Sequence, residues 1–253
     1  MFHLNKIYPY EIEVNNVALK LINAFLVNKS SHLKILDVGC GYGMLLNELS
    51  KKYKNIDFFG IEKSAEAVIK IPKFVNLFHA DIEDHNEILK QINKEKFDLI
   101  VFSDVLEHLY DPVNTLNFYS KFIKKNGAIV VTVPNIANVY SRTSLFFGFF
   151  DYTETGVMDK THIRFFTKKT LSKVAINSNM KIIKSSYDSI IIRWFVPTIK
   201  YFFKGSSTNS SNHLINSKFY RIYFKYFRPV EELFSSIFPT LFAFRLGVIL
   251  KKE

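Results

Sequence analysis

Apolar residues at Val14, Val17, Ala18, Leu21 and Phe25 recur at the spacing of one helical face, predicting a helix over 10–27. The run "LKILDV", 33–38, then predicts a fully buried strand, and "MLLNELSKKY" a helix. The same alternation repeats. "DFFGIE" predicts a strand and "SAEAVIK" a helix with Ser64 as N-cap. "FVNLFHAD" predicts a third strand ending at Asp81, followed by the helix "NEILKQIN". "FDLIVFSD" predicts the fourth, with a helix through "PVNTLNFYSKFI", and "GAIVVTVPN" the fifth. Strands alternating with helices at this spacing imply a parallel sheet built from right-handed crossovers.

After Asn135 the rhythm changes. Residues 136–166 are aromatic and irregular in pattern, and read as a lid over the sheet edge. A helix follows through "TKKTLSKVAINS", with Thr167 as its cap. "MKIIKSSYDSIII" and "LFAFRLGVILKK" predict two final strands with an insertion between them. No internal repeat is visible, and "KGSSTNSSNH", 204–213, has loop composition. The expected fold is one α/β domain over 1–253, with helices on both faces of the sheet. Its parts are an N-terminal helix (1–30), a first half (31–135), the lid and sixth strand (136–190), the insertion (191–238) and the last strand (239–253).

A chain of 253 residues, 48% hydrophobic, can bury one large core. Cys40 is its single cysteine, so no internal disulfide is available and a reducing, cytoplasmic setting is expected. The first residues lack the charged and apolar regions of a secretion signal. The most apolar run, "SIIIRWFVPTIKYFF", is interrupted by Arg193, Pro197 and Lys200, short of the about 18 clean residues a span needs. The net charge of +11 admits an anionic partner, nucleic acid or a lipid surface, or reflects a Lys-, Asn- and Ile-rich composition. Its distribution is uneven: 189–230 contains no Asp or Glu, but seven Lys and Arg.

In "ILDVGCGYG", 35–43, three glycines follow a buried strand directly. Glycine costs backbone entropy, so such a cluster calls for a close approach to the main chain. A glycine turn between strand and helix leaves amides open for a nucleotide-like ligand. G-x-G alone is weak evidence, but here it follows the first strand and opens a helix. Glu62 ends the second strand, where a carboxylate can accept from two ribose hydroxyls, and Asp81 ends the third, within reach of an adenine amino group. Each acid alone reads as a solvated loop carboxylate; together with the glycines they describe an adenosine site.

With "LDVGCGYG", "GIEKS", "HADIED" and "FDLIVFSDVLEHLYDP" in this order, the chain resembles the class I S-adenosylmethionine-dependent methyltransferases over 33 to about 190 and the last strand. The resemblance implies a Rossmann-like, seven-stranded, mostly parallel sheet whose last strand is antiparallel. It implies that Asp37, Gly39 and Gly41 hold the methionine end of S-adenosylmethionine. Glu62 would take the ribose, Asp81 and Ile82 the adenine, and Ser103 would lie beside the sulfonium. A nicotinamide dehydrogenase also uses a glycine turn and an acid, but Asp37 before the glycines and "DVLEHLYDP" are outside that fingerprint. A non-catalytic cofactor-binding protein would share every one of these motifs.

Methyl transfer from a sulfonium is an in-line displacement that depends on alignment, and an alcohol nucleophile also benefits from a base. His108, after the fourth strand, and His162, in "DKTHIRFFT", are the candidates, each also readable as a structural hydrogen-bonding group. Asp104, Glu107 and His108 together offer ligands suited to a divalent metal. The ubiquinone-pathway O-methyltransferases and small-RNA 2′-O-methyltransferases are similar here, with E-x-x-E-H. This chain has Asp in the first place, and many family members carry D-V-L-E-H with no metal role, so none is expected as resident.

"DKTHIRFFTKKTL" is similar to a segment in methyltransferases of bacterial surface-polysaccharide and other biosynthetic clusters, which implies a sugar or small-molecule hydroxyl as acceptor. Tyr140, Arg142, Phe146, Tyr152 and Arg164 could clamp it, or simply pack the lid. In "SKFYRIYFKYFR", Lys218, Arg221, Lys225 and Arg228 fall on one helical face beside an aromatic stripe. That pattern fits an anionic membrane surface, or an RNA acceptor bound by stacking and phosphate contacts, or a helix packed on its own domain. The aliphatic bulk around Trp194 favours the membrane, and with it a lipid-linked acceptor.

Overall fold

Asn15 fixes where the first helix begins, its side chain accepting from the amides of Val17 and Ala18. The computed structural model describes residues 14–189 apart from 28, 30 and 93, together with 226 and 228–253. Its elements run α1 (Asn16–Leu26), β1 (Leu33–Val38), α2 (Met44–Lys52), β2 (Ile56–Glu62), α3 (Ala65–Lys70), β3 (Asn76–His79), α4 (His85–Ile92) and β4 (Phe97–Ser103). They continue through α5 (Pro112–Ser120), β5 (Ile123–Pro134), α6 (Val139–Phe146), α7 (Lys168–Asn177), β6 (Met180–Ser189), α8 (Arg228–Ile237), α9 (Pro239–Phe242) and β7 (Ala243–Lys252).

The seven strands form one sheet in the order β3-β2-β1-β4-β5-β7-β6. Pairings among β1 to β5 are parallel, while β7 is antiparallel to both β5 and β6. The Rossmann-like, mostly parallel sheet with an antiparallel last strand is therefore present. Alternation within buried strands splits the core. Ile35, Val101 and Val130 pack with Val17, Leu21, Leu46 and Leu49 on the α1–α2 face. Leu36, Ile100 and Val131 pack with Ile88, Leu116, Tyr119 and Leu171 on the α4–α5–α7 face. At Gly247 a Cβ would collide with Val17 and Leu21, so that glycine lets α1 lie flat against β7.

Ser64 and Thr167 cap α3 and α7 as expected, Thr167 through a reciprocal pair with Thr170. Three expectations change. The irregular lid contains a helix, α6, started by the Asn138 side chain accepting from the Ser141 amide; its mixed polar and aromatic sequence lacks a helical stripe. β3 stops at His79, so Asp81 lies two residues beyond the strand rather than at its end. β5 begins at Ile123, inside the run read as helix. Of the basic aromatic helix expected over 217–228, all but 226 and 228 lies outside the described residues.

Candidate active site

Chain order reverses between β1 and β4, and in open α/β sheets ligands bind in the crevice outside the strand ends at that point. Here β1 ends in the glycine turn. The amides of Gly39 and Cys40 both donate to the Ile61 carbonyl, at 2.9 and 3.0 Å, which holds the turn over the end of β2. Gly41 adopts φ +53°, and a Cβ built there would meet nothing within 4 Å. Its backbone faces open space.

Glu62 braces the turn from below. One carboxylate oxygen accepts the Gly41 amide at 2.8 Å, and the other accepts the amides of Lys63 and Ser64 at 3.0 and 2.8 Å. Gly41 borders a cavity of about 300 Å³, lined also by Asn15, Asp37, Ser103, Asp104 and Arg245. Asp37 is buried, and its Oδ1 has no hydrogen-bond partner. Burial, and then the charge of Glu62, push its carboxyl up to about 8. A buried carboxylate oxygen left orphaned beside an open stretch of backbone fits a ligand carrying an ammonium group, as S-adenosylmethionine does.

On the β4 side, sequence reading missed a network. Asp104 sits at φ +57°, with its amide donating to the Thr132 carbonyl and hydroxyl, both at 3.1 Å. Its carboxylate receives Arg245 Nε at 2.9 Å and pairs with Nη2 at 2.6 Å, while the Thr132 hydroxyl donates to Oδ1. Asn15 donates to the hydroxyls of Ser103 and Thr132, tying the start of α1 to the same cavity. Arg245 alone could have been flagged, as a lone charge in the apolar run of β7.

Glu62, Asp81 and Ile82 do not line this cavity; they lie on the β2–β3 side of the turn. Asp81 accepts the Glu83 amide at 3.0 Å and pairs with Lys63 at 3.2 Å. Burial opposes its ionisation, but these partners outweigh it and hold its carboxyl below the usual carboxylate range. The buried Tyr119 hydroxyl donates to the Ile82 carbonyl at 3.2 Å, fixing that backbone.

His108 and His162 come together with ring centroids 4.9 Å apart. Each places Nδ1 3.1 Å from a backbone carbonyl, of Thr161 and Val157 respectively. A carbonyl can only accept, so Nδ1 is the donor in both pairs and a neutral ring would keep its lone pair on Nε2. His162 Nε2 faces Glu107 Oε1 at 4.0 Å. Glu107 is buried and neither of its oxygens has a partner. Burial, reinforced by Asp104, drives its carboxyl well above the ordinary range, and burial lowers the His162 imidazole. Glu107, His108 and His162 offer ligand atoms within 4.8 Å of one another. Asp104, held by Arg245, is not in that group, and His162 takes the place that the sequence reading gave it.

The lid docks on this turn, with the amides of Ile163 and Arg164 donating to the Glu107 carbonyl. Arg142 Nε donates to the Ala137 carbonyl at 2.7 Å, and Arg164 to that of Tyr110. Tyr140, Phe146 and Tyr152 are exposed. Arg164 lines a second cavity, of about 400 Å³, with Tyr110 and Thr170, and is not among the residues lining the first.

The methyltransferase domain family model matches residues 10–185. A ubiquinone biosynthesis O-methyltransferase of Hydrogenovibrio crunogenus is 26% identical over 130 residues, 49% of this chain and 51% of that protein. An N-methyltransferase 4 of Papaver somniferum is 30% identical over 116 residues, 43% of this chain and 32% of that one. The chain thus spans about half the length, or less, of these curated relatives. The crystal structure of an S-adenosylmethionine-dependent methyltransferase from Archaeoglobus fulgidus superposes with a TM-score of 0.56 at 20% identity, covering 94% of this chain and 93% of that one. A glycine turn at the switch point, a buried acid before it and a match over residues 10–185 agree: the chain belongs to the methyltransferase domain family, and its fold is that of a class I S-adenosylmethionine-dependent methyltransferase.

Proposed function

We propose that the protein transfers a methyl group from S-adenosylmethionine to a hydroxyl of a sugar or other small, membrane-side acceptor. The observation that carries the donor is the buried, unpartnered Asp37 oxygen beside the open face of Gly41. Bound there, the cofactor would supply an electrophilic methyl group on sulfur. Asp37 would accept from its ammonium group, Gly39 and Gly41 would admit it to the backbone, and Ser103 would stand beside the sulfonium. Glu62 would turn its spare lone pairs to the ribose hydroxyls, and Asp81 and Ile82 would meet the adenine.

The similarity to a ubiquinone O-methyltransferase supports oxygen as the atom methylated. His108 or His162 would then supply the base: an imidazole with Nδ1 tied to a carbonyl can use Nε2 to accept the hydroxyl proton. Tyr140 and Tyr152 would stack on the acceptor, and Arg142 and Arg164 would offer it the donors not given to backbone carbonyls. A second reading rests on the two orphaned Glu107 oxygens: Glu107, His108 and His162 would hold a divalent ion that orients the acceptor hydroxyl. The lipid-linked form of the acceptor is supported by the acid-free, cation-rich segment 189–230.

The test is a titration of S-adenosylmethionine and NAD by calorimetry, followed by acceptor screening with polyprenyl-linked sugars, free sugars, quinols and RNA. Binding of the sulfonium cofactor and transfer to a glycan hydroxyl is the expected result. Binding of NAD alone, or transfer only to RNA, would overturn it.

A further inference from the structure

Helix α8 is amphipathic the wrong way round for a helix lying on a protein core. Its inward face is polar: Glu231 and Ser235 are buried, and Glu231 accepts from the Ser189 hydroxyl at 3.0 Å. Val230, Leu233, Phe234 and Ile237, with Phe238 just beyond, form the opposite stripe, each between 44% and 58% exposed. Glu232, between the two faces, pairs with Lys20 and Arg228 and locks this orientation.

The lid carries a second apolar surface. Leu145, Phe146, Phe147, Phe149 and Phe150, at and beyond the end of α6, are exposed as well. Asn135, which begins the lid, donates to the carbonyls of Pro239 and Thr240 in α9, just past α8, and of Ala243 at the start of β7. One side chain thus joins the roots of both surfaces. Both rise from the carboxyl ends of the parallel strands, since β7 enters the sheet where β5 leaves it. Soluble proteins scatter exposed apolar residues singly, and a grouping of this size marks an interaction site.

Charge selects the partner. The acid-free run 189–230, with its seven cations, leads directly into α8. A second copy of the chain would bring the same cations against themselves. An anionic lipid surface complements them and also receives the aromatic and aliphatic stripe. We propose that α8 and residues 145–150 seat in the headgroup region of an anionic bilayer, apolar side chains downward, turning the cofactor edge of the sheet toward the membrane. This deepens the reading of a membrane-side acceptor, but the binding itself requires no acceptor.

The experiment is flotation of the full chain with vesicles of phosphatidylcholine alone or with phosphatidylglycerol added. It compares the parent, a Leu233→Glu/Ile237→Glu variant, and Ile69→Glu as a control on exposed α3. The parent and the control should float with anionic vesicles, and the double variant should lose about tenfold or more in partitioning. Calorimetric affinity for S-adenosylmethionine should match in all three, which separates this proposal from the methyltransferase reading. Equal flotation of the double variant would overturn it. So would a parent that stays in solution, whether because it sediments as a dimer that the double variant dissociates or because that variant melts at lower temperature, as it would if the chain itself covered α8.

Discussion

Glu62 accepts the amide hydrogen of Gly41 at 2.8 Å, so the acid that ends β2 holds the turn that ends β1. Removing it should loosen the turn and, under the proposed cofactor placement, delete a ribose contact as well. Glu62→Ala is expected to weaken S-adenosylmethionine binding by about 1.5–3 kcal/mol, the range for hydrogen bonds to a charged group. Glu62→Gln, which keeps one acceptor, should lose less. Calorimetry checks both, and unchanged affinity would refute the placement.

Gly41 combines a left-handed backbone with space where a Cβ would go. Gly41→Val should therefore fold, at a cost of about 1–2 kcal/mol for a side chain in that region of φ, while its methyls fill the approach to the turn. Thermal melting should fall modestly and cofactor binding should vanish. A variant that binds as the parent does would place the cofactor elsewhere.

Asp37 gives the protein an unusual pH dependence. Its folded carboxyl titrates near 8, above the ordinary 3.8 it regains on unfolding. The native state thus holds a proton that the unfolded state releases, and stability falls as pH rises from about 4 to about 8, by on the order of a few kcal/mol. Asp37→Asn should flatten this slope in melting curves across that range, and a slope identical to the parent's would contradict it. A ligand ammonium should reverse the shift, so cofactor binding near pH 7 should release a proton, visible as a buffer-dependent heat.

Glu107 discriminates between the two readings of the histidine cluster. As a neutral buried acid it should tolerate Glu107→Gln with little change in melting temperature and turnover. As a metal ligand it should lose chelator-sensitive activity with that substitution. Under the base reading, His108→Ala or His162→Ala should slow single-turnover transfer by about 10²–10⁴-fold. If neither slows it, positioning alone performs the chemistry.

The parallel half was legible because its strands are buried on both faces and read as continuous apolar runs, such as Phe97–Ser103. The glycine turn was legible because its glycines are contiguous with β1. What the sequence hid are relationships across distance. Arg245 reaches Asp104 from 141 positions away, and Asn15 reaches Thr132 from 117. His162 joins Glu107 and His108 only because the lid amides dock on the Glu107 carbonyl. Helix α6 was hidden for a local reason: its first turn is set by an Asn138 cap in a segment without apolar periodicity.

The antiparallel strand β7 has a consequence for how the molecule is made. β5 ends at Pro134 and β6 at Ser189, yet neither pairs with the other, because β7, starting at Ala243, lies between them. During translation β5 must therefore wait for more than a hundred residues with one edge bare, roughly 5–20 s at ribosomal speeds. An unpaired, apolar edge of that duration is an aggregation hazard. Asp104 likewise lacks Arg245 throughout that interval, so the nascent chain can close its glycine turn well before it completes the opposite wall of the cavity.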